Sequence, residues 1–395
     1  MIIKNGNIIC DHQIKYGADL HISGNLIAED EATGEVIDAT GLYVCPGFVD
    51  IQTHGGFGGD FMDATDEAFE KALKFHGENG TTSILATSVT APVEQIIRML
   101  EMVREYKAES DLPCRILGAH IEGPYLSYKN KGAQHEQYLR NPEKDSYDFI
   151  LDNQDVIKTV TIAPELAGAA KMTADLTRAG IKVHGGHDNG EKDTILPAIE
   201  NGLSHCTHLW CAMSTVAIRD GVRNVGLVEL GLIDNRLTVE VIADNHHITP
   251  EMIKLIYKCK GADKMCIVSD SLRAGGMPEN DTLYTLGRLE DENAQKFIVY
   301  DGVARLPDKS RMAGSIQPLS QMVKNLVFDA GIPLVDAIKM ASATPAQIIG
   351  VHQTIGSLEI GKRADVVLLD KQLNVKMTIK DGKVIYDAEN RKHVF

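Results

Sequence analysis

The chain has 395 residues, a length that suggests either two or three domains or one large barrel. Hydrophobic residues make up 44% and charged residues 24%, which is typical of a globular protein and excludes low complexity and wholesale disorder. The net charge of −15 disfavours general attraction to nucleic acid or anionic lipid. We expect no membrane partner, because no apolar run approaches the roughly 20 residues of a membrane span, and no signal peptide. Seven scattered cysteines without a CxxC pair favour a reduced, cytoplasmic protein.

Both ends of the chain have the pattern of short β-strands. Residues 1–44 alternate apolar and polar positions and are broken by Asn-Gly and Ser-Gly-Asn turns. The last stretch, SLEIGKRADVVLLDKQLNVKMTIKDGKVIYDAEN, alternates in the same way around an Asp-Gly turn. We therefore expect residues 1–44 and 352–395 to form one small β-sandwich domain from both termini.

The middle of the chain, residues 45–351, has a different pattern. Short β-branched runs alternate with longer amphipathic stretches, and eight strand candidates recur every ~30–40 residues. In chain order they are FVDIQTH, TTSILAT, CRILGAHIEG, VIKTVTIAPE, IKVHGGH, LSHCTHL, LTVEVIAD and MCIVSDS. This pattern predicts an α/β fold, a TIM-like (β/α)₈ barrel. A doubly wound open sheet is the alternative, but no GxGxxG follows the first strand.

Polar residues repeatedly end the apolar strands of this predicted barrel. Catalytic residues of such barrels lie at the carboxyl ends of the strands, which meet at one mouth. The residues at these ends are Gln52, His54, Glu122, His187, His208, His247 and Asp270. Single examples are more often surface residues, so the weight lies in the joint pattern.

Imidazole and carboxylate are the usual ligands of a borderline-soft divalent cation such as zinc. Three protein ligands and an open position indicate a catalytic site, and Glu122, His187 and His208 are the candidates. The metal would lower the pKa of a water molecule towards ~7. Asp270 would accept the proton of that water. The pattern therefore predicts metal-assisted hydrolysis.

A structural zinc site is the rival interpretation of one segment. His205, Cys206, His208 and Cys211 lie within seven positions. Alternating residues of a strand face opposite sides, so Cys206 and His208 would share one face while His205 points away. A closed site also normally needs a second pair of ligands, and the sequence offers none.

The order of the motifs resembles that of the N-acetylglucosamine-6-phosphate deacetylases, which belong to the amidohydrolase superfamily. The segments are PGFVDIQTHG, HIEGPYLSYKNKGA, GGHDNG, HCTHLWCAM, IADNHH, IVSD and MAGSI. The closely related N-acetylgalactosamine-6-phosphate deacetylases share most of them. The resemblance covers essentially the whole chain and implies a barrel of the metal-dependent hydrolase type. It also implies hydrolysis of the N-acetyl group of an amino-sugar 6-phosphate, one zinc ion with iron(II) as the alternative, and a homodimer.

Residue by residue, the resemblance implies the same metal ligands and Asp270 as the catalytic acid and base. It also implies that His247 binds substrate and that Arg223 holds the phosphate, with Arg219 as the competing candidate. The remaining substrate-binding positions that it implies are Ala133, Gln134, Cys211, Ala212, Met312, Ala313 and Gly314.

Four departures from the family pattern qualify these assignments. Many members have KGAH where this chain has KGAQH, so Gln134 takes the place of a substrate-contacting His and His135 comes one step later. NAM is replaced by a segment beginning at Cys211, and the REPG motif is replaced by RNVG from Arg223. The first strand carries Gln52-x-His54 and not His-x-His, which favours one tightly held metal and a weak second site near His54.

Alternatives from other classes remain at this point. A dihydroorotase or dipeptidase-like hydrolase would normally use His-x-His and often a carboxylated Lys, which are missing at the expected strand ends. A catalytically silent sugar-phosphate binder would have no need of a base at Asp270. The preference for the gluco or galacto sugar stays open.

Overall fold

A computed structural model describes residues 1–10, 12–29, 34–109 and 111–389. Parts of the predicted terminal β domain, including residues 30–33 and 390–395, therefore lie outside the described residues. Among the described helices, none combines the length and the apolar character that a bilayer crossing requires.

The structure contains strands throughout the chain. In order they are β1 (Ile2–Ile9), β2 (Ile14–Ser23), β3 (Leu26–Ala28), β4 (Val36–Asp38), β5 (Tyr43–Pro46), β6 (Phe48–Thr53), β7 (Gly55–Gly56), β8 (Gly59–Asp60), β9 (Thr81–Thr87), β10 (Arg115–Glu122), β11 (Ile157–Ile162), β12 (Lys182–Gly185), β13 (Leu203–Cys206), β14 (Ala217–Arg219), β15 (Val222–Asn224), β16 (Thr238–Val241), β17 (Met265–Ile267), β18 (Tyr284–Thr285), β19 (Lys296–Tyr300), β20 (Val303–Arg305), β21 (Met312–Gly314), β22 (Val366–Leu369), β23 (Val375–Lys380) and β24 (Lys383–Asp387).

Helices alternate with these strands in the middle of the chain. They are α1 (Asp66–Glu78), α2 (Val93–Ala108), α3 (Asp148–Leu151), α4 (Ala169–Arg178), α5 (Lys192–Glu200), α6 (Leu227–Ile233), α7 (Pro250–Lys260), α8 (Leu319–Lys324), α9 (Leu334–Ala341) and α10 (Ala343–Ile348). Helix α2 shows why they form: it buries Ile96, Met99, Leu100 and Val103, which lie on one face at helical spacing.

Eight strands form one parallel sheet in the order β17-β16-β13-β12-β11-β10-β9-β6. They correspond to the eight strand candidates, so the expected parallel β/α arrangement is confirmed. Strands β6 and β9 are buried along their whole length because helices cover the sheet. Beyond the last strand, Asp270 N–H donates to the carbonyl of Gln52 at 3.0 Å and His54 N–H donates to the carbonyl of Ser271 at 2.9 Å. These bonds connect the carboxyl ends of β17 and β6.

The two ends of the chain share a second sheet. Its order is β24-β23-β22-β5-β1-β2-β3, with β4 paired to β1. Residues from both ends, such as Ile3, Ile22, Val366 and Ile379, pack into an apolar core of their own. Strand β5 spans the position of the expected boundary between residues 44 and 45, so the chain passes from this sheet to β6 through one residue, Gly47.

Arg115 joins the two sheets. It lies at the start of β10 and contacts Asp365 at 2.8 Å and Asp381 at 2.7 Å, both from the C-terminal part of the other sheet. The side chain of Asp365 is 4% exposed, so this is a largely buried ion pair.

A four-stranded antiparallel sheet, β18 to β21, follows the last parallel strand. Its final strand brings Met312–Gly314 against the segment after β17, where Ser315 N–H donates to the carbonyl of Asp270 at 2.9 Å. The eight-unit pattern did not predict this insertion, because its strands interrupt the β/α alternation.

Candidate active site

The polar strand ends surround one cavity of about 410 Å³ at the carboxyl edge of the parallel sheet. Most of the residues expected at the site line it. These are His54, Glu122, Ala133, Gln134, His187, His208, Cys211, Ala212, His247, Asp270, Met312, Ala313 and Gly314. The structure thus brings together residues that are up to about 260 positions apart in the chain.

The three candidate ligands lie close together in the lining of the cavity. One atom each from Glu122, His187 and His208 lies within 4.8 Å of the other two, and all three residues are buried. Glu122 Oε1 is 3.1 Å from His208 Nε2 and 3.4 Å from His187 Nε2. A carboxylate oxygen therefore faces two imidazole nitrogens.

The hydrogen bonds around this cluster orient its members for a cation. His187 Nδ1 lies 3.0 Å from the backbone carbonyl of Asn130, which can only accept, so Nδ1 carries the hydrogen and Nε2 presents a lone pair. That lone pair points at a carboxylate oxygen, and the two repel unless a cation or proton lies between them. The donor set of two imidazoles and one carboxylate is that of catalytic zinc sites. The residues present fit a divalent metal.

Two amide side chains hold Glu122 in place. Gln52 Nε2 donates to Glu122 Oε1 at 2.8 Å, and Gln134 Nε2 donates to Glu122 Oε2 at 2.9 Å. Thr90 N–H donates to Gln134 Oε1 at 2.7 Å, which fixes the orientation of that amide. Burial alone would raise the pKa of Glu122, but without a metal a proton on Nε2 lets His187 and His208 donate to the carboxylate, which holds the pKa well below its ordinary value.

Asp270 stands beside this cluster. Its Oδ1 lies 3.2 Å from His54 Nε2 and 3.4 Å from Gln52 Nε2. His54 Nε2 is also 3.5 Å from Glu122 Oε2, so His54 lies between the two carboxylates. Burial lowers the pKa of His54, but the hydrogen bond to Asp270 and the charge of Glu122 outweigh it and raise the pKa to about 9.

The backbone is unusual at these positions. His187, His208 and Asp270 have φ values of 48°, 29° and 45°, which non-glycine residues rarely adopt. Each comes after its strand has ended, so the strand alternation does not extend to it. This corrects the expectation that His208 shares a strand face with Cys206: β13 ends at Cys206, whose side chain packs in the apolar core.

Two glycines let the loops approach the ligands. Gly132 has a φ of 61°, and a Cβ there would lie 3.2 Å from Cε1 of His187. Gly314 has a φ of 145°, and a Cβ there would lie 3.1 Å from the carbonyl oxygen of Asp270. The loop at Gly132 and the end of β21 therefore pack closely against the cluster.

His247 faces the cavity from the loop after β16. Its Nδ1 lies 2.8 Å from Asp244 Oδ2, and the backbone N–H groups of His246 and His247 donate to Asp244 Oδ1 at 2.9 Å each. Burial would raise the pKa of Asp244, but these contacts lower it to about 2. Asp244 stays ionised and fixes the imidazole, whose Nε2 is left for a ligand.

The structure does not bring Arg223 or Arg219 to the cavity. Both lie on the exposed hairpin of β14 and β15, and Arg219 pairs with Glu191. Two other cations line the cavity, Lys129 and Arg311, together with Asn130 and Trp210. Sequence reasoning missed Lys129, Asn130 and Arg311, although Arg311 directly precedes the segment at Met312 that the motif order had singled out.

Comparison with known proteins identifies the family. The model of the amidohydrolase family matches residues 43–385. The chain belongs to this family. It is 33% identical to the N-acetylglucosamine-6-phosphate deacetylase of Vibrio furnissii, over 87% of this chain and 83% of that protein. It is 31% identical to the N-acetylgalactosamine-6-phosphate deacetylase of Escherichia coli O157:H7, over 95% and 94%.

Solved structures agree with this assignment. The chain is similar to a mutant N-acetyl-D-glucosamine-6-phosphate deacetylase of Mycobacterium smegmatis, solved in complex with N-acetyl-D-glucosamine-6-phosphate. The TM-score is 0.87 at 29% identity, and the match covers 98% of this chain and 99% of the other. The amidohydrolase fold therefore extends over almost the whole molecule.

Proposed function

We propose that this protein removes the N-acetyl group of N-acetyl-D-glucosamine 6-phosphate and releases D-glucosamine 6-phosphate and acetate. The observation that carries the proposal is the convergence of Glu122, His187, His208 and Asp270 on one cavity of an amidohydrolase. Deacetylases of this substrate are similar along most of the chain. The galacto epimer is the second candidate, because the deacetylase named for that sugar matches 95% of this chain.

Glu122, His187 and His208 would hold one divalent metal, zinc by their donor set, with iron(II) as the alternative. When bound, the metal supplies a Lewis acid for the acetyl carbonyl and lowers the pKa of a water molecule. Gln52 and Gln134 donate to the two oxygens of Glu122 and so keep its carboxylate aimed at the imidazoles. His54 and Gln52 are the expected weak second site.

Asp270 accepts the proton of the attacking water and later donates it to the nitrogen of the leaving amine. This second transfer is needed because an amide anion is too basic to leave. The short contacts of Asp270 Oδ1 with His54 and Gln52 position its carboxylate beside the metal ligands. His247, held by Asp244, offers Nε2 to the substrate. A catalytically silent protein that only binds a sugar phosphate would not need a base at this position.

The loops that line the cavity would enclose the sugar. Ala133, Gln134, Cys211 and Ala212 line the cavity, and so does the Met312–Gly314 strand. The phosphate needs cations, and Arg311 and Lys129 are the ones at the cavity. Arg223, which the motif order indicated, is the second candidate for the phosphate contact.

The wider organisation is part of the proposal. The bonds between the ends of β6 and β17 support a complete (β/α)₈ barrel for residues 45–351, with residues 1–44 and 352–395 as the β domain. We also propose that the protein forms a homodimer. A measurement of its molar mass by light scattering tests this. All seven cysteines are unpaired, which is typical of proteins from a reducing compartment such as the cytoplasm.

The direct test is acetate release by zinc-loaded protein from both amino-sugar 6-phosphates and from unphosphorylated N-acetylglucosamine. We expect turnover of a 6-phosphate with kcat/KM at least ~10-fold above that for the plain sugar, and the better epimer decides the sugar. Replacing Arg311 by Met should raise KM for the phosphorylated sugar only. The same effect in Arg223→Met, and not in Arg311→Met, would move the phosphate contact to the hairpin. Binding of both sugar phosphates without release of acetate would contradict the proposed deacetylase activity.

A further inference from the structure

A second group of metal-type donors lies inside the parallel sheet, below the cavity. His184 at the end of β12, His205 in β13 and Glu240 in β16 each offer one atom within 4.8 Å of the other two. All three residues are 0% exposed, and none of them lines the cavity. His184 and His205 precede the candidate ligands His187 and His208 by three residues each, so this deeper group is separate from the first.

His184 has no hydrogen-bond partner among the described residues. Both of its ring nitrogens are buried and unpaired. A neutral imidazole always carries one N–H, and a buried donor without an acceptor destabilises the folded state. Its ring lies 4.3 Å from that of His205, at an angle of 57°. A buried imidazole without a hydrogen-bond partner indicates that His184 contacts a ligand in the functional protein.

The hydrogen bonds of His205 define which of its nitrogens is free. Thr238 Oγ1 donates to the carbonyl of Ser204 at 3.2 Å, so it accepts from Nδ1 of His205 at 2.7 Å. Nδ1 therefore carries the hydrogen, and Nε2 of the neutral ring presents a lone pair. That lone pair faces Glu240 Oε2 at 3.0 Å. A ring nitrogen fixed by a neighbouring oxygen is the usual arrangement of a metal-binding histidine.

The two oxygens of the Glu240 carboxylate contact different groups. Its Oε1 accepts the backbone N–H of His208 at 3.1 Å, which anchors the side chain. Its Oε2 is left to face His205. A carboxylate oxygen and two imidazole nitrogens from β12, β13 and β16 thus lie within 4.8 Å of one another, and all three residues are buried.

We propose that His184, His205 and Glu240 bind a second divalent metal ion, of the borderline-soft class of zinc or cobalt(II). Two imidazoles and one carboxylate suit such ions. The ion would give His184 the partner it lacks and would bind together three adjacent strands. Because its ligands do not line the cavity, its role is structural, and the proposal does not depend on the reaction catalysed above it.

The test is a count of metal ions. Protein stripped of metal, reloaded with excess zinc and freed of unbound ion is measured by mass spectrometry of the metal. We expect two ions per chain in the wild type and one in His184→Leu, which removes one donor and fills its space with an apolar side chain. His187→Ala is the matched control at the first site and should also leave one. Cobalt(II) loading should show two sets of absorption bands in the wild type and one in each variant.

Stability provides a second measurement that does not depend on activity. Without metal, His184→Leu should melt at or above the wild type, because it removes an unpaired buried polar group. Zinc should raise the melting temperature of the wild type by more than that of His184→Leu. If that variant does not fold, Glu240→Gln replaces it, since its amide oxygen can still accept the N–H of His208. We expect the second ion to bind at least ~10-fold more weakly there.

Two results of the metal count would overturn the proposal. One is a single ion per chain in the reloaded wild type, which would leave a buried water molecule as the partner of His184. The other is two ions in both the wild type and His184→Leu, which would place the second ion elsewhere, such as near His54. Unchanged affinity in Glu240→Gln would contradict it in the same way.

Discussion

We call the contact of Arg115 with Asp365 and Asp381 the joint between the two sheets. The cavity and this joint differ in how their buried charges are paired. At the joint, Arg115 pairs with Asp365 and Asp381, and Arg363 supplies Asp381 with a second cation. At the cavity, Glu122 faces imidazole nitrogens, and His187 turns a lone pair towards it. The carboxylates of the joint are therefore paired with cations of the chain itself, whereas the donor atoms at the cavity are arranged to hold an added divalent cation. This difference separates a structural ion pair from a functional cluster better than burial does, because both are buried.

Backbone geometry shows the same contrast. In the terminal sheet, positive φ values include 61° at Asn5, 60° at Leu373 and 51° at Asp381, and none of these residues lines the cavity. At the cavity they fall on the candidate metal ligands His187 and His208 and on the candidate base Asp270. Strain of this kind persists where the surrounding structure holds it and is typical of active sites.

Metal removal should have the largest effect on the cavity. Treatment with a chelator should abolish acetate release, and zinc should restore it in the wild type but not in His208→Ala. The reason is that the Glu122 cluster loses one of its three donors in the variant. Full activity after chelation, with metal analysis confirming an empty protein, would contradict the assignment of the ligands.

Asp270→Asn should come next, with kcat lowered at least ~10²–10⁴-fold. Asparagine has nearly the same shape but cannot accept the proton of the water molecule. Metal content and the melting temperature should stay close to the wild type, since Asp270 is not among the three clustered donors. Unchanged turnover would show that another group is the base.

The sequence predicted the parts of this site that follow from regular elements. The eight apolar runs became the eight parallel strands, and Glu122 ends β10 as expected. The hairpin that carries Arg223 and the insertion that places Met312–Gly314 were not predictable in the same way. Their directions depend on contacts between distant segments, such as that of Ser315 with Asp270, which no local period encodes.

A similar limit applied to the groups that orient the ligands. The role of Gln134 as a donor to Glu122 depends on Thr90, which lies on a different loop. His205 was considered with Cys206 for a structural zinc site, but its neighbours in space are His184 and Glu240 on adjacent strands. Spacing along one segment could not reveal that cluster.

Replacing Arg115 at the joint should lower the stability of the protein and leave catalysis unchanged. Arg115→Leu leaves Asp365 buried without its cation, and we expect a loss of about 3–5 kcal/mol in the free energy of unfolding. Arg104→Leu is the matched control, because Arg104 pairs with Asp155 at 2.8 Å where both side chains are about half exposed. That exposed pair should contribute only about 0–1 kcal/mol. Urea denaturation measures both, and kcat/KM should match the wild type in each.

Equal losses in Arg115→Leu and Arg104→Leu would contradict the contrast between the joint and the surface. A fall in kcat/KM in Arg115→Leu would show that the joint also shapes the cavity.

The smallest expected effect concerns Glu165, a buried carboxyl group that forms no ion pair with the described residues. Burial, with a contribution from the charge of Asp188, raises the pKa of Glu165 from 4.5 to about 7. Its Oε1 accepts the N–H of Asn189 at 2.8 Å, while Oε2 is buried without a partner in the described structure. A carboxyl group whose folded pKa is raised contributes stability below its unfolded pKa and loses it as the pH rises through the folded value.

The wild type should therefore lose more stability than Glu165→Gln between pH 4.5 and about pH 7, by on the order of 1 kcal/mol. Glutamine keeps an acceptor for Asn189 and carries no charge at any pH. Urea denaturation of both proteins at pH 5 and pH 8 gives the difference, and the exposed Glu143→Gln controls for the loss of one acidic group. Parallel pH profiles for the wild type and Glu165→Gln would show that this carboxylate is solvated in the folded protein despite its position.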